Sequence, residues 1–294
     1  MNVTVSESAG FCPGVRRADS EVKKLISENG GKGKIYTLGS LIHNRLYNEE
    51  LKKLGVISVN FEDVGELVKD TDESVTLVIR THGIPKEQSD VLCSLEKSKP
   101  NFNVCDATCP YVKKIHRIAE QNTDDSTYFV LFGTPSHPEV KGIMSYAKGD
   151  KTVISSLEEA KKLNILEKIP ILCSQTTQNL LEFEKIKNFF KKLYTNSIFF
   201  DTICSVTENR QNEAIKIAEK SDVMIVIGGR DSSNTHRLFE LCREVCSDTR
   251  WIESYEELLT DFPDSAQSVG ITAGASTPDG IITEVLKLWK KTKK

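Results

Sequence analysis

Three cysteines stand in matching surroundings. Cys12 lies in Ala9-Gly-Phe-Cys-Pro-Gly-Val-Arg-Arg17 and Cys109 in Asp106-Ala-Thr-Cys-Pro-Tyr-Val-Lys-Lys114, two stretches that share Cys-Pro-x-Val-basic-basic; Asp201-Thr-Ile-Cys204 repeats the Asp-x-x-Cys half. A proline just after a residue marks the first turn of a helix, where unpaired N–H groups and the helix dipole favour an anion, so each sulfur is suited to being a thiolate. Thiolates hold soft metals. Three of them with no equivalent fourth suit an iron-sulfur centre with one iron left open, whereas structural zinc would want a closed set of four. Any one of these cysteines alone reads as a small buried apolar residue; their repetition argues against that.

A set of polar residues recurs beside them. His43, His82 and His137 are three of only five histidines, each beside Gly or Pro at the predicted end of a strand. Thr176, Thr177, Ser232, Ser233, Asn234 and Ser276 occupy corresponding places. Imidazole, hydroxyl and amide donors at helix N-termini suit a phosphate or diphosphate. Glu139 is the one carboxylate that falls naturally in the set; in a closed pocket its pKa would rise, as a proton donor requires, although it could equally cap the helix after His137-Pro138. The remaining cysteines, Cys93, Cys105, Cys173, Cys242 and Cys246, lie in apolar stretches and read as core, and His116 and His236 read as structural.

These residues must be positioned by strands and helices, and the spacing says how. Cys12 to His43 spans 31 positions and His43 to His82 a further 39; Cys109 to His137 spans 28 and on to Thr176 39; Cys204 to Asn234 spans 30 and on to Ser276 42. The cysteines themselves are 97 and 95 apart. Apolar runs at Ile35–Leu38, Val75–Ile79, Tyr128–Phe132, Ile171–Ser174, Val223–Ile227 and Ser268–Thr272 predict strands, each running into one of these polar loops and then a helix. Three series in step indicate tandem α/β repeats at 15–108, 109–203 and 204–294 plus 1–14, the N-terminal strand joining the last. In such units ligands bind beyond the carboxyl ends of the strands, where every residue named above falls.

At 294 residues the chain is long enough for two or three cores, and 39 basic against 42 acidic side chains argue against a nucleic-acid footprint. No apolar run approaches a membrane span, and the N-terminal stretch has neither signal nor transit pattern, so no membrane partner and a cytoplasmic location are expected. Eight cysteines spread through so large a chain point away from a disulfide framework. Gly30-Gly-Lys-Gly33 precedes a strand where a dinucleotide fingerprint would follow one, and no phosphate-binding Gly-x4-Gly-Lys-Ser/Thr occurs. A hydrolase using Cys109 with His137 as its base stays open at this point, as does an iron-sulfur electron carrier or redox sensor without substrate turnover.

Together Ala9-Gly-Phe-Cys-x-Gly-Val15, Arg80-x-His-Gly83, Asp106-Ala-Thr-Cys-Pro110, His137-Pro-Glu-Val140, Ser174-Gln-Thr-Thr177, Ser232-Ser-Asn234 and Ala273-Gly-Ala-Ser276 resemble the 4-hydroxy-3-methylbut-2-enyl diphosphate reductase (IspH/LytB) family over nearly the whole chain. The resemblance implies three pseudo-equivalent αβ domains in a trefoil around a central cluster. It implies one 4Fe-4S cluster per chain, held by Cys12, Cys109 and Cys204 with one open iron. It assigns diphosphate binding to His43, His82, His137, Thr177, Ser232, Ser233, Asn234 and Ser276, and proton delivery to Glu139 with Thr176, which also contacts the substrate. The implied reaction is the two-electron reductive dehydroxylation of 4-hydroxy-3-methylbut-2-enyl diphosphate to isopentenyl and dimethylallyl diphosphates in the non-mevalonate pathway, with electrons from a flavodoxin- or ferredoxin-type donor. Thr134-Pro-Ser136, before His137, departs from the Gly-containing stretch expected there.

Overall fold

Apolar runs without alternation belong to strands covered on both faces, and such strands pair in parallel through helical crossovers. The computed structural model, which describes residues 2–69, 73–259 and 266–291, contains this arrangement three times. β1 (Asn2–Val5) and α1 (Pro13–Asn29) lead into β2 (Gly33–Leu38), α2 (Arg45–Lys53), β3 (Val56–Val59), a tight 3-10 turn continuing into α3 (Val64–Leu67), β4 (Ser74–Ile79), α4 (Lys86–Ser98) and β5 (Phe102–Asp106). Next come α5 (Pro110–Asn122), β6 (Thr127–Phe132), α6 (Pro138–Tyr146), β7 (Asp150–Ile154), α7 (Leu157–Ala160), β8 (Ile169–Ser174), α8 (Leu180–Leu193) and β9 (Ile198–Phe199). The last run is α9 (Ser205–Ala218), β10 (Val223–Ile227), α10 (Ser233–Val245), β11 (Thr249–Ile252), α11 (Glu256–Leu259), β12 (Ser268–Ala273) and α12 (Asp279–Lys291).

The strands form three parallel four-stranded sheets, ordered β3-β2-β4-β5, β7-β6-β8-β9 and β11-β10-β12-β1. With β1 counted as the fourth strand of the last sheet, all three read second-first-third-fourth. The order reverses between the first and third strands, where open α/β sheets leave a crevice for ligands. The chain divides into two compact units. The first comprises Met1–Arg16, Ile42–Glu49 and Cys204–Lys294 and holds the sheet containing β1; the second comprises Arg17–Leu41 and Glu50–Ile203 and holds the other two.

Successive residues of a strand point to opposite faces, and each central strand feeds two cores. In the second unit Phe129 and Leu131 of β6 join Ile171 and Cys173 of β8 on one face, while Val130, Phe132 and Leu172 meet Phe183, Ile186 and Phe190 of α8 on the other. In the first unit Val223, Ile225 and Ile227 of β10 pack with Val269 and Ile271, and Met224 and Val226 with Leu238 of α10. Each such side chain, taken wholly out of water, contributes about 1.5–3 kcal/mol.

Alternation marks β1, and apolar runs mark the two central strands of every sheet. They do not mark the edge strands β3, β5, β7, β9 and β11, which are short and half-exposed. One packing expectation is corrected: Cys93 is exposed. Val91, Leu92 and Cys93 are consecutive on α4, and a helix turning about 100° per residue can bury only one face; Leu92 takes it. No helix among the described residues is long and apolar enough to cross a membrane.

Candidate active site

In the second unit the chain leaves β6 through Gly133 and turns at His137, the N-cap of α6, with Pro138 in the first turn. The Glu139 N–H donates to His137 Nδ1 at 3.1 Å. A nitrogen that accepts carries no proton, so the neutral ring holds its hydrogen on Nε2 and presents it as a donor. His82, just beyond β4, meets the His137 ring edge to face, with centroids 5.1 Å apart and planes at 87°.

Glu139 is 1% exposed. Its Oε1 accepts the Thr176 N–H at 2.7 Å and its Oε2 the Thr176 hydroxyl at 2.9 Å, so the carboxyl is tied to the end of β8 while His137 caps the helix. Burial pushes its pKa up to about 7, against the pull of the two Thr176 hydrogen bonds. Beside Thr176, Gln175 Nε2 donates to the Thr177 hydroxyl at 3.3 Å and Gln175 Oε1 accepts the Thr134 N–H at 3.0 Å. The unusual Thr134-Pro-Ser136 loop is thus anchored to the strand end that carries Thr176 and Thr177.

Cys109, the N-cap of α5, donates its N–H to the Thr81 carbonyl at 2.9 Å, one residue before His82. Ahead of it Asp106 shapes the turn: Oδ1 accepts the Thr108 N–H at 2.9 Å and Oδ2 pairs with Lys113 at 2.6 Å. Burial alone would raise the Asp106 carboxyl, but Lys113 and Thr108 hold it below the usual range.

The first unit repeats this plan with other side chains. Cys12 donates its N–H to the Ala275 carbonyl at 3.2 Å, one residue before Ser276, as Cys109 does before His82. The Ser276 hydroxyl lies 3.2 Å from the His43 carbonyl and 3.3 Å from the Ser232 hydroxyl. Gly229 makes this approach possible, because a Cβ there would stand 2.5 Å from the His43 carbonyl oxygen. Ser232 caps α10 through the Thr235 N–H at 3.3 Å, and Ser233 is the first residue of that helix, half-buried. Asn234 Oδ1 accepts the Ala275 N–H at 2.9 Å, leaving a buried Nδ2 without a partner among the described residues, a donor pair available to a ligand. Asn44 Oδ1, accepting the Tyr47 N–H at 3.0 Å, starts α2 immediately after His43.

Most of the eight cysteines fall into two classes. Cys12, Cys109 and Cys204 are half-buried and in no disulfide, and their carbonyls accept the N–H groups of Arg16, Lys113 and Glu208 at 2.8, 3.0 and 3.0 Å, the first hydrogen bonds of α1, α5 and α9. Cys12 Sγ also accepts the Val15 N–H at 3.5 Å. By contrast Cys173, Cys242 and Cys246 are buried, and burial pushes their thiols upward, that of Cys242 to about 12, so they keep their protons; Cys93, exposed on α4, belongs to neither class. Cys105 is half-buried and its thiol is likewise raised by burial. By residue type and helix-start position each of Cys12, Cys109 and Cys204 is suited to ligating a soft metal, and the buried thiols are not.

Sequence reasoning passes over the buried Arg210 on α9; His116 on α5, read as structural, is buried as well. A signal for Arg210 does exist: Thr207, Arg210, Ala214 and Ala218 follow helical spacing, so an arginine lies on the inward stripe.

A family model described as LytB protein matches residues 3–290. The 4-hydroxy-3-methylbut-2-enyl diphosphate reductase of Campylobacter hominis is 43% identical over 291 residues, covering 98% of both chains. That of Aquifex aeolicus is 39% identical over 288 residues, covering 97% of this chain and 94% of the relative. Among solved structures, (E)-4-hydroxy-3-methyl-but-2-enyl diphosphate reductase, described as the terminal enzyme of the non-mevalonate pathway, is similar at 36% identity and a TM-score of 0.67 over 99% of both chains. E-1-hydroxy-2-methyl-but-2-enyl-4-diphosphate reductase from Plasmodium falciparum is similar at 26% identity and a TM-score of 0.86, covering 100% of this chain and 88% of the other.

Proposed function

The chain belongs to the LytB protein family, and from that premise we propose that it reduces 4-hydroxy-3-methylbut-2-enyl diphosphate, replacing the allylic hydroxyl with hydrogen. Two electrons and two protons enter, water leaves, and isopentenyl and dimethylallyl diphosphates are released. Cys12, Cys109 and Cys204 would hold one 4Fe-4S cluster, with three protein ligands leaving one iron open. When bound, the cluster supplies the electrons and a Lewis-acidic iron, recharged by a flavodoxin- or ferredoxin-type donor in the cytoplasm. Of the three repeats, 15–108 contributes His43 and His82; 109–203 contributes Cys109 with His137, Glu139, Thr176 and Thr177; and 204–294 plus 1–14 contributes Cys12 and Cys204 with Ser232, Ser233, Asn234 and Ser276.

The chain's own residues bind, orient and protonate. His43, His82 and His137 grip the diphosphate with Thr177, Ser232, Ser233, Asn234 and Ser276; His137 has its Nε2 hydrogen to offer because Nδ1 is occupied by the Glu139 N–H. Binding the diphosphate holds the allylic end in place. Glu139, its pKa raised to about 7, still carries a proton in a substantial fraction of molecules near neutral pH and delivers it as the hydroxyl leaves, and Thr176 fixes the carboxyl's direction through two hydrogen bonds.

The observation that carries the reading is the Glu139 carboxyl, buried, bonded to Thr176 and raised to about 7 beside the His137 imidazole. Anaerobically purified protein, given a chemical reductant and the diphosphate, is expected to release the two dehydroxylated diphosphates. Protein with full iron and sulfide that leaves the substrate intact would overturn the proposal.

A further inference from the structure

Arg210 is 2% exposed in the first unit, on the inward face of α9, the helix that Cys204 caps. Its Nη2 donates to the Gly10 carbonyl at 2.8 Å and its Nη1 to the Ala273 carbonyl. Gly10 stands two residues before Cys12 and Ala273 three before Ser276, so one guanidinium joins α9 to both loops. Its Nε has no partner among the described residues.

A buried guanidinium bonded only to carbonyls is a charge without a counter-ion, and burial without one is costly. Burial lowers its pKa to about 10, opposed by Cys12, Glu213 and Cys204, while Arg16 works with burial; at neutral pH it stays charged. Glu213 is not its partner by hydrogen bonding: that carboxylate accepts from the Ser6 hydroxyl at 2.7 Å, the Glu7 N–H at 2.6 Å, and the Ser8 N–H and hydroxyl at 3.1 and 2.5 Å. Cys12 and Cys204 also act on Arg210 electrostatically, in keeping with Gly10 lying two residues before Cys12 and with Cys204 capping α9.

We propose that Arg210 is a positioning residue whose permanent charge is the counter-ion of the centre held by Cys12 and Cys204, fixing the Cys12 and Ser276 loops and raising the centre's reduction potential. The inference rests on the reading of those cysteines as cluster ligands. A fixed positive charge in a poorly screened interior favours the more negative, reduced state.

The test is a mediated redox titration of anaerobic holoprotein, followed by the visible absorption of the cluster. Arg210→Met is expected to be harder to reduce by about tenfold in the equilibrium constant, ~59 mV for a one-electron couple. Arg210→Lys, which keeps the charge but not the forked hydrogen bonds, is expected to recover most of that shift. If Arg210→Met does not fold, Arg210→Gln replaces it, neutral but still able to donate to one carbonyl. A neutral variant with wild-type iron and sulfide and a wild-type potential overturns the proposal, and so does an equal shift in the lysine and neutral variants, which would leave hydrogen bonding alone as the cause. Wild-type protein that binds no cluster removes the ligand reading itself, and the inference with it.

Discussion

Helices α5 and α9 follow cysteines in equivalent places of the repeat, and each buries one titratable side chain within its first two turns. On α9 it is the charged guanidinium of Arg210; on α5 it is the imidazole of His116, 7% exposed. Burial pushes His116 down to about 4, with smaller contributions from Asp106, Lys113 and Glu120, so it is neutral at physiological pH. It stacks on Tyr146, centroids 4.3 Å apart, and faces Gly83 and Gly142. Gly142 lies on the helix that begins with His137 and Glu139. A fixed cation at this place would pull the Glu139 carboxyl down and strip its proton. The two regions thus differ in what they bury: the first unit holds a permanent charge against the loops that carry Cys12 and Ser276, while the second keeps its packing neutral near a carboxyl whose pKa is raised to about 7.

The largest effect that can break this contrast is on turnover. Glu139→Gln keeps the bonding shape but has no proton to give, and it is expected to lose about 100-fold or more in kcat while retaining iron and sulfide. In the wild type, kcat should fall as pH rises through about 7, when Glu139 ionises, and the glutamine variant should lack that limb. A pH profile measured under anaerobic single-turnover conditions checks both. An unchanged kcat in Glu139→Gln would mean that the second unit has no proton-holding role.

How far the sequence reveals this contrast depends on the residue. Cys12, Cys109 and Cys204 are legible because the same chemistry recurs at equivalent strand ends, and β10 is legible because all five of its residues are buried apolar ones. β9 is only Ile198–Phe199 and β3 reads Val-Ile-Ser-Val with two exposed residues, so no pattern separates them from loop. Glu139 is readable as a member of the polar set, but whether it caps its helix or faces another strand depends on Thr176, 37 residues away. Arg210 and His116 are harder still. A polar residue in mid-helix acquires a role only from what the fold lays against it, here the Gly10 and Ala273 carbonyls in one unit and Gly83 and Gly142 in the other.

The next effect is on stability. A buried acid with a raised pKa is bound more tightly to its proton in the folded state, so Glu139 costs stability progressively as pH rises from about 4.5 to about 7. A histidine with a lowered pKa does the reverse: the unfolded chain takes the proton first, and His116 costs stability as pH falls from about 6.5 to about 4. Each amounts to about 3 kcal/mol over its window, and in the wild type they oppose one another. Glu139→Gln is therefore expected to lose stability toward acid, His116→Phe to lose it toward neutrality. Urea unfolding from pH 4 to pH 7.5 reads both slopes, and slopes of the same sign would refute the opposed pair.

The smallest effect concerns the wall that His116 makes behind His82. Gly83 has φ +72°, and a Cβ there would come within 2.8 Å of His116 Cε1. Gly83→Ala therefore has two costs, a left-handed backbone that L side chains resist and a contact with a ring held by Tyr146, together about 1–3 kcal/mol. Because Gly83 follows His82 directly, the displacement should appear in substrate binding: KM about tenfold higher, with kcat within a factor of about three. Removing the ring separates the two costs. In Gly83→Ala/His116→Ala the contact with the ring is gone, leaving the backbone strain and a contact with Thr108 Cγ2 at 3.1 Å, so the double variant should be more stable than the sum of the singles by about 1 kcal/mol. Strict additivity would show that His116 does not bear on Gly83, and the neutral packing assigned to α5 would then need another residue to carry it.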